Sequence, residues 1–353
     1  MAASAPHPRP LIVDTDVGAD DAVAILLALR RQSSVGVVAM TSCFGNVSCD
    51  QATINASALL KFSGLDRTIS VYRGCEHPLI GRFDPTKCWE GHGKDGLGDS
   101  GLSALGEAGR VEGDHAAIAI RDITNARPRE VELLMLGPLT NLALALKLDP
   151  TLPSRVKGVT VMGGCESARG NASRAAEFNF HADPEAAHIV FEAFTPQAGE
   201  APRVTIVPWE LCVAQGVPWT FFDSMCPPEN DTPKGKFFKD VNRGMEKMLR
   251  VKRYDATPEI NLGRDINLGD DNNLGQEINF CPCDAYAAAV HERPGMVKKA
   301  RDLHVEIELN GVHSRGMTAF DWYGRSKKPA NVRLIQDIDN DAFREMLQET
   351  FLA

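Results

Sequence analysis

Short apolar runs alternate with stretches of helical length along most of this chain. Leu11, Ile12 and Val13 open a strand, and Ala22 to Leu27 continue as an apolar helix. The same rhythm predicts strands over 35–41, 69–72, 130–136, 156–162 and 203–207. Between them the pattern predicts helices over 52–62, 116–125, 140–147, 183–192 and 285–290. Strand and helix in alternation imply an α/β fold, with a mainly parallel central sheet and helices on both faces, a Rossmann-like open sheet. In such sheets ligands bind at the strand C-termini.

One segment departs from this rhythm. From Ile260 a hexapeptide of the form Ile-Asn-Leu-Gly-Arg-Asp recurs, with Leu262, Leu268, Leu274 and Phe280 in register. Three and a half copies are too few for a free-standing solenoid. The insertion over 260–279 is therefore either a loop beside the functional site or an expanded surface segment.

Composition narrows the class. The 353 residues carry 38 basic and 47 acidic side chains, a net charge of -9, which disfavours nucleic acid and anionic membranes as partners. A small polar substrate is easier to accommodate. Nine scattered cysteines suit free thiols in a reducing compartment such as the cytoplasm, and Cys281-Pro282-Cys283 has neither zinc-knuckle nor redox-motif spacing. Residues 1–9 read as a disordered tail before one domain over 10–353, and no apolar run is long enough to span a bilayer.

The chemistry concentrates where the first strand meets the first helix. Asp14, Asp16, Asp20 and Asp21 fall within eight residues, with Gly18 expected to let the chain turn tightly between them. At an effective dielectric of about 20, like charges about 4 Å apart repel by roughly 4 kcal/mol. Either some of these acids are protonated or a hard metal ion sits among them. Taken alone, Asp20 could cap the helix and Asp21 complement its dipole. Oxygen ligands in irregular array favour calcium or magnesium over zinc, and several carboxylates lean toward calcium.

Other polar groups follow the later strands: Asn46 after Phe44-Gly45, Leu136-Gly137-Pro138-Leu139-Thr140-Asn141, Met162-Gly163-Gly164, Asn171, and Glu177-Phe178-Asn179 ahead of Asp183-Pro184-Glu185-Ala186. Late in the chain Cys283-Asp284 opens a helix and adds one more hard ligand. Together these groups suit sugar hydroxyls.

In these motifs, and in Arg315-Gly316-Met317-Thr318, the sequence resembles the inosine-uridine preferring nucleoside hydrolases from about Arg9 to the C-terminus. The resemblance implies that family's fold and a calcium-dependent cleavage of the N-glycosidic bond of purine or pyrimidine ribonucleosides, giving ribose and free base for salvage or catabolism. It implies Asp16, Asp21, Asp284 and the backbone carbonyl of Leu136 as calcium ligands, with Asp16 also the base toward a calcium-bound water. Asp20, Asn171, Glu177 and Asn179 resemble the groups that hold ribose, Asn46 and Met162 line the pocket, and Asp14 stands behind them. A homo-oligomer, dimer or tetramer, is implied as well.

At the position before the last metal ligand several relatives carry His, and here it is Cys283. Cys283 and His92, the latter in a Gly-rich segment that resembles the family's mobile loop, are the candidates for protonating the leaving base. Two other readings compete: a haloacid-dehalogenase-type phosphatase, which also opens on Asp-x-Asp, and a nucleoside- or ribose-binding protein without turnover.

Overall fold

The computed structural model describes residues 9–30, 35–107, 109–197, 199–226, 232–250 and 279–352. Eleven strands are named in chain order: β1 (Arg9–Thr15), β2 (Val35–Ser42), β3 (Ser70–Arg73), β4 (Val111–Glu112), β5 (Glu132–Met135), β6 (Gly158–Met162), β7 (Val204–Val207), β8 (Val297–Leu303), β9 (Val305–Ile307), β10 (Thr318–Phe320) and β11 (Val332–Ile338). Nine of them form one sheet in the order β4-β3-β2-β1-β5-β6-β7-β11-β8, and β9 and β10 pair separately. Every neighbouring pair in the large sheet is parallel except β11 with β8.

From β1 the chain builds outward through β2, β3 and β4, then returns to lay β5, β6 and β7 on the other side of β1. The strand order reverses between β1 and β5, and the crevice beyond their C-terminal ends is where such sheets bind ligands. Alternation along β1 sends Leu11 and Val13 into one apolar cluster and Ile12 into the other, so the strand is covered on both faces.

Two helices matter most for the site. All eleven residues of the Ala19–Leu29 helix are buried, as are residues 283 to 291 of the Cys283–Glu292 helix packed against it. Both helices are rich in alanine, at 19, 22, 24 and 28 of one and 285, 287, 288 and 289 of the other, and such small side chains permit close packing of helices. At their far ends the Arg30 guanidinium pairs with Glu292 at 2.9 Å and Glu349 at 2.8 Å.

The predicted elements over the first two hundred residues are present with ends shifted by a few positions. Arg9 belongs to β1, pairing with Val35 and bridging to Glu132 at 3.2 Å, so the sheet begins one residue before the expected domain boundary. The hexapeptide repeat lies outside the described residues apart from Asn279 and Phe280, and so do residues 1–8. The sequence pattern did not announce β8, an edge strand whose Lys298, Lys299, Asp302 and mostly exposed positions blunt its hydrophobic signal. Among the described residues no helix is long and apolar enough to cross a membrane.

His291, near the end of the Cys283–Glu292 helix, has Nδ1 3.2 Å from Thr160 Oγ1. Burial, reinforced by Arg9 and Lys157, pushes its pKa down from 6.5 to about 3, while Glu132 at 3.7 Å is already shared with those two cations. The unfolded chain therefore takes up this proton at a higher pH than the fold does. Its neutral form contributes stability that is complete above pH ~6.5 and lost as pH falls toward the folded pKa. Between pH 7 and 5, His291→Gln should lose about 2 kcal/mol less stability than the parent in urea unfolding. Parallel losses in both proteins would show that His291 is charged in the fold.

Candidate active site

The turn from β1 into the Ala19–Leu29 helix presents the acids. The strained residue is Val17, at φ 24° in the left-handed region, and not Gly18, whose φ of -86° is open to any residue. Asn55 holds that turn, donating from Nδ2 to the carbonyls of Val17 at 3.2 Å and Asp95 at 2.7 Å. Gly18 is needed for a different reason from the tight turn expected of it. A Cβ there would stand 2.6 Å from Asn46 Nδ2 and 2.8 Å from His92 Nδ1. Close approach of neighbouring side chains, not backbone torsion, selects glycine.

The carboxylates are buried and unequally satisfied. Asp14 accepts from Thr41 Oγ1 at 2.6 Å and Asn141 Nδ2 at 2.8 Å, and burial pushes its pKa up to about 7. Asp21 accepts from Thr15 Oγ1 at 2.5 Å, the Gly18 amide at 2.8 Å and Asn46 Nδ2 at 3.0 Å. Burial and the charge of Asp20 still raise Asp21 to about 6. Asp16 accepts the Asn46 amide at 2.7 Å through Oδ2, while its Oδ1 and Asp20 Oδ1 are buried without a hydrogen-bond partner. Burial and the surrounding acids hold Asp16 and Asp284 well above the usual carboxylate range.

Asp284, in the first turn of its own helix, meets the first turn of the Ala19–Leu29 helix. Carboxylate oxygens of Asp20, Asp21 and Asp284 all lie within 4.8 Å of one another. Buried acids so close, two of them in hydrogen-bond contact and others with orphaned oxygens, fit a hard cation. The tightest triad contains Asp20, which the resemblance places on ribose, and Asp16 stands outside it.

The remaining expected groups converge on the same crevice to different degrees. Asn179 Nδ2 donates to the carbonyls of Leu136 at 2.8 Å and Met162 at 3.1 Å, tying the ends of β5 and β6 together. Glu177 takes the amides of Asn179 at 2.8 Å, Gly164 at 2.9 Å and Phe180 at 3.2 Å, and burial pushes it up to about 7. Asn171 is exposed and accepts the Phe178 amide at 2.8 Å. Thr15, Thr41, Asn55 and Asn141 complete the support. Asn141 stood in a motif singled out in the sequence, but nothing local tied it to Asp14, 127 residues away.

His92 is not a solvated loop residue. Only 6% exposed, it stands edge-on to the Trp89 ring at 5.0 Å between centroids and accepts the Ala19 amide on Nδ1 at 3.1 Å. Burial lowers its pKa against the opposing charge of Asp20, whose Oδ1 lies 3.7 Å away, and with Nδ1 accepting the amide the nitrogen left to donate is Nε2. Cys283 is also buried, its thiol 3.6 Å from the Cys281 carbonyl.

Fold and acids define the class: a doubly wound α/β protein with a buried carboxylate cluster, suited to a metal ion, at its switch point. The sequence model of the inosine-uridine preferring nucleoside hydrolases matches residues 11–345, and the chain belongs to that family. It is 30% identical to the non-specific ribonucleoside hydrolase RihC of Escherichia coli O1:K1 / APEC over 96% of this chain and 97% of that one. A probable uridine nucleosidase 1 of Oryza sativa subsp. japonica is 42% identical over 52% of this chain and 56% of its own, so that match spans about half of its length. The solved structure of an inosine-guanosine nucleoside hydrolase superposes with a TM-score of 0.80 at 32% identity, covering 98% of both chains. Membership in this family sets aside the phosphatase reading of the Asp-x-Asp opening.

Proposed function

We propose that this chain, folded as one domain from Arg9 onward, hydrolyses the N-glycosidic bond of ribonucleosides, releasing ribose and free base. The observation that carries this reading is the convergence of Asp20, Asp21 and Asp284 on one point in a family of nucleoside hydrolases. Asp16, Asp21, Asp284 and the Leu136 carbonyl would hold calcium, with Asp20 turned to a ribose hydroxyl. When bound, such an ion acidifies water and attracts vicinal hydroxyls.

The protein's own groups then have distinct work. Asp16 takes a proton from the attacking water on its unpartnered Oδ1, while the Asn46 amide fixes the other oxygen. Asn179, Asn171 and Glu177 orient the ribose, and Asn46 and Met162 line its pocket. Cleavage passes through an oxocarbenium-like state, and the surrounding carboxylates stabilise positive charge as it grows on the sugar. His92 donates a hydrogen bond from Nε2 to the departing base, and Cys283 borders the same space.

Incubating the purified protein with calcium and inosine, uridine, guanosine or cytidine should release base, and chelation should stop it. Binding of these nucleosides without any base release would instead establish the binding-protein reading. The competing position of Asp20 has its own test. Asp20→Asn should raise KM about 10- to 100-fold, the worth of a charged hydrogen bond, and leave calcium affinity within about threefold. A hundredfold loss of calcium affinity would make Asp20 a ligand.

A further inference from the structure

We propose that Cys281 and Cys283 form a dithiol that peroxide-class oxidants close to a disulfide, displacing Asp284 and weakening the metal centre. The two Sγ atoms are 3.7 Å apart, against about 2.05 Å in a disulfide. Pro282 between them sits at φ -81°, ψ 83°, near the inverse γ-turn that folds its two neighbours toward each other. Both residues are buried but not sealed, each keeping 8% of its surface exposed.

The chemistry balances with peroxide as the oxidant. One thiol takes an oxygen atom from peroxide, giving a sulfenic acid and one water. The second sulfur attacks it, the S–S bond forms, and that oxygen leaves as a second water. Two thiols lose two electrons and two protons, and one peroxide is reduced.

The consequence follows from which end can move. Phe280, next to Cys281, exchanges both backbone hydrogen bonds with Val217, at 2.7 Å and 2.9 Å, and its ring lies among Trp219, Phe222 and Phe238. Cys281 is thereby anchored. Closing the gap falls on Cys283, the first residue of its helix, and carries the adjacent Asp284 with it.

This inference rests on Asp284 being a metal ligand, and its test reads chemistry before activity. The full chain is titrated with hydrogen peroxide, the disulfide is mapped by peptide mass, and calcium affinity is measured calorimetrically without nucleoside. The expected result is a peptide spanning Cys281 and Cys283 lighter by two hydrogens, at least tenfold weaker calcium binding, and recovery of both on adding dithiothreitol. Cys281→Ser should form no such bond and should not show the dithiothreitol-reversible loss. Two free thiols at doses that oxidise the half-buried Cys88 and Cys226 would overturn the proposal. So would a Cys212–Cys283 bond, or a Cys281–Cys283 bond with unchanged calcium affinity. Failure of the hydrolase reading would appear separately, as absent base release from fully reduced protein.

Discussion

Asp16→Asn is expected to lower kcat roughly a thousandfold, even with calcium and nucleoside saturating, because an amide cannot take the proton from water. The substitution preserves shape where shape is critical: a Cβ on Gly45 would come within 1.9 Å of Asp16 Oδ2, so no larger side chain fits. An amide oxygen placed where Oδ2 stands still accepts the Asn46 amide. KM should therefore change far less than kcat. Steady-state assays of base release at saturating calcium separate the two, and a kcat within tenfold of the parent would remove Asp16 as the base.

Asp284→Asn should act in opposite directions on the metal-loaded and metal-free protein. Calcium affinity is expected to fall at least a hundredfold, beyond the roughly 10- to 100-fold that supporting residues of metal sites contribute. Metal-free stability at pH 8 should rise by about 1–3 kcal/mol, since one buried acid no longer has to ionise beside Asp21, Asp20 and Asp16. The sign follows from linkage. Carboxyls whose folded pKa is raised, such as Asp14 at about 7 and Asp21 at about 6, bind protons more tightly in the fold than in the unfolded chain. The metal-free protein thus loses stability as pH rises from about 4 through those values, and calcium should restore it. Calorimetry for the ion and urea unfolding with and without it measure both effects. A variant that kept calcium affinity and gained no metal-free stability would show that Asp284 stands apart from the cluster.

Much of this was legible in the sequence, for identifiable reasons. Buried parallel strands read as apolar runs, and β1, β2, β3, β5, β6 and β7 were visible because helical stretches separate them, whereas the two-residue edge strand β4 was too short to show a pattern. The C-terminal part was harder. The charged edge strand β8 and the three-residue strands β9 and β10 depend on their neighbours more than on their own pattern. Among site residues, Asp14, Asp16, Asp20 and Asp21 announced themselves by density. Asn55 and Thr41 did not, since a lone amide or hydroxyl on a helix or strand has no periodic signature, and Asn141 stood in a visible motif whose link to Asp14 only the fold makes.

The sequence by itself determined the family, the alternating α/β order and the acid-rich turn at the C-terminal end of the first strand, because adjacency and periodicity are local properties. Tertiary structure decided how the acids divide their work. Packing of two alanine-rich helices brings Asp284 to Asp20 and Asp21 across more than 260 positions of chain. The same folding leaves Asp16 and Asp20 with an orphaned oxygen each and buries His92 with its Nδ1 already occupied. Burial turns a charge-dense turn into acids that must bind either protons or a cation, and burial is a property of the whole fold.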